Sequence, residues 1–263
     1  MIDLHCHLLP NFDDGSQSME ASLEQVKRMA EGGVTHAFLT SHYMRGHYEY
    51  TKDHYMGRFN EFVSEVKHQN IEIVLLPGFE VHLHPGIEEI VEREKLFLGD
   101  SRYLLVESDL NGLPIDFYKN AFMLLRKGYK PILAHAERYV TVMKHTSSEA
   151  KTLLQRNIYL QVNSGSLRGL YGDKVKETAW KLVSRGYAHF VSSDDHVRTD
   201  YTSFFNARKS IINRIDSHTA ELLCTAHSMK VVQDKDVPYH YVNISYSQKD
   251  RKKKGFLKSL LGF

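Results

Sequence analysis

Two histidines, His5 and His7, stand two residues apart in the opening segment Ile-Asp-Leu-His-Cys-His. Side chains alternate along an extended strand, so both imidazoles face one side and Cys6 faces the other, toward a core. The same two-residue spacing returns at Asp194 and His196, after the apolar run Phe-Val-Ser-Ser. Between these pairs, His42 follows Phe-Leu-Thr-Ser, Glu80 follows Leu-Leu-Pro-Gly-Phe, Glu107 follows Tyr-Leu-Leu-Val and His135 follows Pro-Ile-Leu-Ala. Asp14 lies in the loop after the first run. A single histidine beside a strand is ordinarily a packing or surface residue, and one His-x-His is a modest signal. Here six of seven short apolar runs end in His, Asp or Glu. So many ionisable groups gathered at one place would repel or lie undersolvated without cations.

Nine ligand-type side chains exceed the three that a catalytic zinc ordinarily takes from its protein. They suit two or three ions sharing carboxylates. Imidazole and carboxylate donors without thiolate favour manganese, iron or zinc over soft-metal sites. A cluster of such ions lowers the pKa of a bridging water and stabilises attacking and leaving oxygens alike, as metal-assisted phosphoryl transfer requires. Two arginines narrow the substrate. Arg138 follows His135 by three residues and Arg198 follows His196 by two, and a planar fork at either place could grip phosphate oxygens. The bland reading of Arg138 is a surface arginine paired with Glu137. Two arginines beside two ligand motifs favour phosphate.

These residues need a scaffold that brings strand ends together. Apolar runs fall at 2–6, 35–40, 71–79, 102–107, 130–134, 158–163 and 188–193. Helical periodicity falls between them, at about 19–32, 51–69, 86–95, 116–128, 147–156 and 173–186. Gly32-Gly33, Gly128 and Gly186 end helices just before the next strand. Strict alternation predicts an α/β fold with a parallel sheet, open or closed into a barrel, whose active site lies at the C-terminal strand ends. From about 203 the pattern is helical, at 203–214 and 216–231. No linker divides the chain, so residues 1–248 are expected as one domain, followed by a basic and then apolar tail at 249–263.

With 42% hydrophobic and 25% charged residues, composition is that of a globular protein with a real core. No run of 18 apolar residues and no signal peptide is evident, and two cysteines fit a reduced compartment, so a cytoplasmic location is expected. A net charge of +2 without a basic, aromatic-lined stripe argues against a nucleic-acid partner. The unusual figure is 16 histidines. Of those outside the set above, His82 and His84 extend the Glu80 strand and read as rim residues, and His36, His47, His54, His68, His145 and His189 as surface or packing residues.

Taken in order, Met-Ile-Asp-Leu-His-Cys-His, Asp13-Asp14-Gly15, Thr40-Ser41-His42, Pro77-Gly78-x-Glu80, Leu105-Val106-Glu107, His135-Ala136-Glu137-Arg138 and Ser193-Asp194-x-His196 resemble the PHP (polymerase and histidinol phosphatase) superfamily. The nearer likeness is to the manganese-dependent protein-tyrosine phosphatases of Gram-positive capsule and exopolysaccharide gene clusters, from residue 1 to about 200. Ser41, Tyr43 and Ala136 depart from that pattern without removing a ligand. The resemblance implies a distorted seven-stranded parallel β/α barrel holding three divalent metal ions, manganese first among them. It assigns His5, His7, Glu80 and Asp194 to one ion, Glu80, Glu107 and His135 to a second, and Asp14, His42 and His196 to a third. A bridging hydroxide would attack phosphorus while Arg138 and Arg198 hold the phosphate. The implied substrate is the phosphotyrosine cluster of a membrane-associated bacterial tyrosine kinase.

Other readings are a histidinol-phosphate or small phosphomonoester phosphatase on the same scaffold, a nuclease-like phosphodiesterase, and a metal-stabilised interaction module. The arginines count against the last, since a structural site closes around its ions. In the tail, Lys249 to Lys254 form a basic block, and Phe256, Leu257, Leu260, Leu261 and Phe263 fall at near-helical spacing. That combination suits either a packed helix, on the barrel or on another subunit of a homo-oligomer, or peripheral contact with an anionic membrane face.

Overall fold

Seven short strands, nearly all buried on both faces, alternate with helices in the computed structural model, which describes residues 1–198 and 201–238. The strands are β1 (Ile2–Cys6), β2 (His36–Tyr43), β3 (Val74–His82), β4 (Tyr103–Glu107), β5 (Lys130–Leu133), β6 (Tyr159–Asn163) and β7 (Phe190–Ser192). They lie in sequence order, every neighbouring pair parallel. The crossovers are made by α1 (Met19–Glu31), α2 (Lys52–His68), α3 (Ile87–Glu94), α4 (Ile115–Arg126), α5 (Val140–Lys144), α6 (Thr146–Gln155), α7 (Ser164–Arg168) and α8 (Asp173–Ser184). Strands covered by helices outside and closed on themselves inside have no wet face, which explains their unbroken apolar runs. The expected seven-stranded parallel β/α barrel is the fold observed. The tail at 249–263 lies outside the described residues. No helix among the described residues is long and apolar enough to cross a membrane.

Local boundaries differ from the periodicity in instructive ways. β3 runs three residues further than expected, so Glu80 lies inside the strand, paired with His42 on one side and Leu105 on the other. A short helix, α7, directly follows β6, and α5 precedes the expected helix at 147–156. The helical region at 216–231 is divided into α10 (Ser217–Glu221), a π-turn (Leu222–Ala226) and α11 (His227–Val232), after α9 (Thr202–Arg214).

Two apolar layers result. The outer layer joins strands to helices through residues such as Val26, Met29, Phe62, Leu124, Leu153 and Leu182. The inner plug contains Leu4, Phe38, Tyr103, Leu105, Ile132, Tyr159 and Phe190. Val231 and Val237 from the C-terminal region join this plug, and the Tyr159 hydroxyl donates to the Val237 carbonyl at 2.5 Å. β1 reaches both layers by a bulge: its register against β2 slips between Asp3 and Cys6. Leu4 therefore belongs to the inner plug and Cys6 to the outer layer, although plain alternation would put them on one side.

The seam between β1 and β7 closes the barrel. Asp194 N–H donates to His5 O and His7 N–H to Asp195 O, both at 2.8 Å. Below them, the buried Asp3 carboxylate accepts from Ser193 N–H at 3.0 Å, Ser193 Oγ at 2.5 Å and Tyr201 Oη at 2.5 Å. Burial nonetheless pushes the Asp3 pKa up, with these donors pulling the other way. Tyr201→Phe is therefore expected to lower unfolding stability by about 1–3 kcal/mol, the range for loss of a donor to a buried acid. Urea denaturation followed by circular dichroism measures this; an unchanged midpoint would exclude a role for the phenol in the seam.

Candidate metal centre

All nine expected ligand residues meet at the C-terminal end of the barrel, eight of them in three overlapping groups and His135 beside them. Within each group one donor atom per residue lies within 4.8 Å of the others. The first is His5, His7, Glu80 and Asp194, all buried. His5 Nε2 and His7 Nε2 are 3.0 Å apart, and Glu80 Oε2 lies 3.2 Å and 3.3 Å from them. Asp194 Oδ1 is 3.2 Å from His5 Nε2. The second group is His42, Glu80 and Glu107, with His42 Nδ1 3.1 Å from Glu107 Oε1 and 3.3 Å from Glu80 Oε2. The third is His7, Asp14, His42 and His196, with Asp14 Oδ1 3.3 Å from His196 Nε2 and 3.4 Å from His42 Nε2. Glu80, His7 and His42 each serve two groups.

Two placements depart from the grouping that the resemblance implies. His7 joins the third group as well as the first, its ring stacked on His196 with centroids 4.0 Å apart. His135 stands beside the second group, Nε2 2.8 Å from Glu80 Oε1 but 3.9 Å from Glu107 Oε2, while His42 turns Nδ1 into that group. His82 stays at the rim, 3.8 Å from Asp109, and neither it nor His84 enters a group.

Behind the donors stands a layer that strand-end reading overlooks. Asp13 Oδ2 is 2.8 Å from His7 Nδ1 and also accepts from His42 N–H at 3.0 Å. This leaves His7 Nε2 as the lone-pair nitrogen directed into the cluster. Asp13 is itself fixed by Gly15 N–H at 3.0 Å, and a Cβ at Gly15 would overlap the His7 backbone. On β6, the one strand without an ionisable residue at its end, two amides do this work. Gln161 Oε1 accepts from His135 N–H at 2.7 Å and lies 3.3 Å from His5 Nδ1. Asn163 Nδ2 donates to Asp194 Oδ2 at 2.5 Å. The available signal was their own two-residue spacing on the silent strand.

The backbone bends to aim two of the donors. His135 and Asp194 have φ of 34° and 53°, a left-handed conformation uncommon outside glycine. Both follow strand ends, where the turn redirects the side chain across the barrel mouth.

Electrostatics fit a cation centre. Burial alone lowers a histidine pKa, yet the Glu80 charge and hydrogen bonds to Asp14 and Glu107 raise His42 to about 10. Burial likewise opposes charge on His7 and His135, but Asp13 and Glu80 respectively outweigh it and raise both. Burial would raise the Glu80 and Asp194 carboxyls, but the surrounding imidazoles hold both below the ordinary range. His135 Nδ1 is buried without a hydrogen-bond partner among the described residues. Imidazole nitrogens and carboxylate oxygens about 3 Å apart are the donor set of borderline divalent ions. Cys6, the near thiol, turns away and donates to Phe38 O at 3.2 Å.

The arginines differ from each other. Arg138 does not pair with Glu137, which is buried and accepts from Asn163 N–H at 3.0 Å; it reaches Asp194 Oδ2 at 3.3 Å. Arg198 is largely exposed and lies 3.2 Å from Asp14 Oδ2. Replacing the orienting carboxylate, Asp13→Asn, is expected to weaken divalent-metal affinity about 10- to 100-fold while the far-UV spectrum stays unchanged. Chelator competition measures it, and wild-type affinity would remove Asp13 from the centre.

Comparisons with known proteins agree with this architecture. Residues 1–233 match the family model for capsular polysaccharide synthesis, CpsB/CapC. The tyrosine-protein phosphatase YwqE of Bacillus subtilis is 30% identical over 197 residues, covering 74% of this chain and 77% of that protein. The tyrosine-protein phosphatase CpsB of Streptococcus pneumoniae is 26% identical over 241 residues, 89% of this chain and 99% of that one. A crystal structure from work on these two proteins, described there as metal-dependent tyrosine phosphatases, superposes with a TM-score of 0.84. It is 27% identical and covers 90% of this chain and 96% of the other. Histidinol phosphate phosphatase from Lactococcus lactis shares the fold, at a TM-score of 0.54 and 13% identity over 85% of this chain and 94% of the other. With the family model matching all but the last thirty residues and the barrel superposing on a relative's, the chain belongs to the CpsB/CapC family of capsular polysaccharide synthesis.

Proposed function

We propose that this chain is a metal-dependent protein-tyrosine phosphatase whose substrate is a phosphotyrosine-bearing bacterial tyrosine kinase of capsular or exopolysaccharide synthesis. The observation that carries the reading is the set of three donor groups linked through Glu80, His7 and His42, with an arginine at the rim. Family membership supports the substrate class, since the relatives YwqE and CpsB are named tyrosine-protein phosphatases.

In this reading His5, His7, Asp14, His42, Glu80, Glu107, His135, Asp194 and His196 hold three divalent ions, manganese foremost and iron or zinc as alternatives. Such ions supply Lewis-acid charge and a water of lowered pKa. The chain's own residues do the rest. Asp13, Gln161 and Asn163 keep the donor atoms aimed inward. Arg138 can exchange its Asp194 contact for phosphate oxygens, and Arg198 can approach from the Asp14 side. Loading the site competes with protons on His7, His42 and His135, whose pKa values the carboxylates raise against burial, so metal affinity rises with pH. A phenolate leaving group, with a pKa of about 10, needs less protonation than an alkoxide.

The decisive assay compares a phosphotyrosine peptide with histidinol phosphate. Hydrolysis of the peptide is expected to depend on added manganese, to stop on chelation and to exceed that of histidinol phosphate. Equal turnover of both would sink the tyrosine-phosphatase assignment. Arg138→Ala is expected to keep its metal content while KM for the peptide rises at least about tenfold, as for loss of a charge-assisted contact. His5→Ala is expected to lose metal and activity together. The tail at 249–263 supports peripheral contact with an anionic inner-membrane face, where such a kinase would be met. Cosedimentation with vesicles containing anionic lipid should fall when the chain is ended at Gln248, and unchanged binding would remove that role.

A further inference from the structure

Among the described residues five large apolar side chains are exposed: Val74, Ile115, Phe122, Leu170 and Tyr171. Leu170 and Tyr171 are the adjacent pair, and they stand at the mouth of the barrel, just after α7 leaves the end of β6. Tyr171 lies against the arginine that reaches Asp194: the Arg138 guanidinium carbon is 4.6 Å from its ring centroid. The ring is thus held beside the metal centre through Arg138, which itself reaches Asp194, while 40% of the residue remains open to solvent.

Leu170 is held to the same place. A Cβ at Gly165 would lie 3.1 Å from Leu170 Cδ1 and 3.3 Å from Tyr171 Cε2, so both side chains rest over the first turn of α7. The pair is seated by a missing side chain, not left loose on a loop. An apolar pair beside convergent polar groups is the arrangement that takes up the apolar part of a ligand whose polar part enters the cluster. Tyr171 also covers one face of the guanidinium, which leaves the donor edge of Arg138 for oxygen acceptors.

We infer that Leu170 and Tyr171 form a ledge that receives the aromatic ring of an aryl phosphate monoester, and so select aryl over alkyl phosphates. This rests on the proposed phosphatase reading, in which Arg138 holds the phosphoryl group. The ledge supplies what the metal centre lacks, since ions and arginines bind the phosphoryl group of any monoester alike. Contact with a flat ring adds affinity only when the ester is aromatic.

The test measures binding by calorimetry to the full-length, manganese-loaded protein, with phenylphosphonate and methylphosphonate as probes. Wild type is expected to bind phenylphosphonate at least about tenfold more tightly. Leu170→Ser and Tyr171→Ala should each reduce that ratio about three- to tenfold, being the loss of one apolar contact. Phe122→Ser, an equally exposed change on α4, should leave the ratio at its wild-type value. No preference in wild type, or a ratio that survives both ledge substitutions, overturns the ledge while leaving the phosphate site standing. If neither phosphonate binds wild type, the phosphatase reading falls and the ledge falls with it.

Discussion

Burying carboxylates and imidazoles in contact with one another creates a demand for positive charge that the rest of the molecule is arranged around. Glu80 alone has four histidines within 3.3 Å, and burial removes the water that would otherwise separate such charges. Without ions the imidazoles answer that demand by holding protons more tightly: against burial, the Glu80 charge and hydrogen bonds to Asp14 and Glu107 raise His42 to about 10. A cation therefore does not merely add to a finished pocket; it exchanges with protons already holding the cluster together. The orienting groups make sense on the same terms. Asp13 and Gln161 give His7 and His5 a partner on the outer nitrogen, so the inner nitrogens stay directed at the shared centre.

How much of this could be read from the chain depended on period and position. Strand ends were legible because six of the seven apolar runs stop at an ionisable residue, and parallel alternation forces those stops onto one face. The bulge in β1 was not legible: nothing in Asp-Leu-His-Cys marks where the register slips, and only the pairing with β2 separates Leu4 from Cys6. The metal-facing nitrogen of each histidine was equally hidden, because it depends on partners distant in sequence. Gln161 is 156 residues from His5, and a neutral amide attracts no notice in a list of ligand types. His42 facing two groups follows from the lateral alignment of β2 with β3, which was expected to end sooner.

The mouth of the barrel is built from backbone that ordinary residues avoid. His135 and Asp194 sit at positive φ, as does the β-branched Val197 at 58°. Each such position costs of order 1–3 kcal/mol, and it persists where surrounding bonds over-determine it. Here those bonds are identifiable: Gln161 on the His135 amide, His5 O on the Asp194 amide, and Asp195 Oδ2 accepting from Val197 N–H at 3.3 Å. The strain sits where the donors must turn inward, and the plug of Leu4, Phe38, Tyr103 and Phe190 beneath gives it a rigid floor.

The seam has a bearing on how the molecule is made. Its bonds join His5 and His7 to Asp194 and Asp195, the two ends of almost the whole barrel. During synthesis the first strand leaves the ribosome long before its neighbour across the seam exists, and contacts of such separation form late. Until then the first donor group lacks Asp194, whereas His42, Glu80 and Glu107 are already on the emerged chain. The second group's residues are thus on the chain together early, at the lateral pairing of three consecutive strands, and the first group is complete only when the final strand arrives.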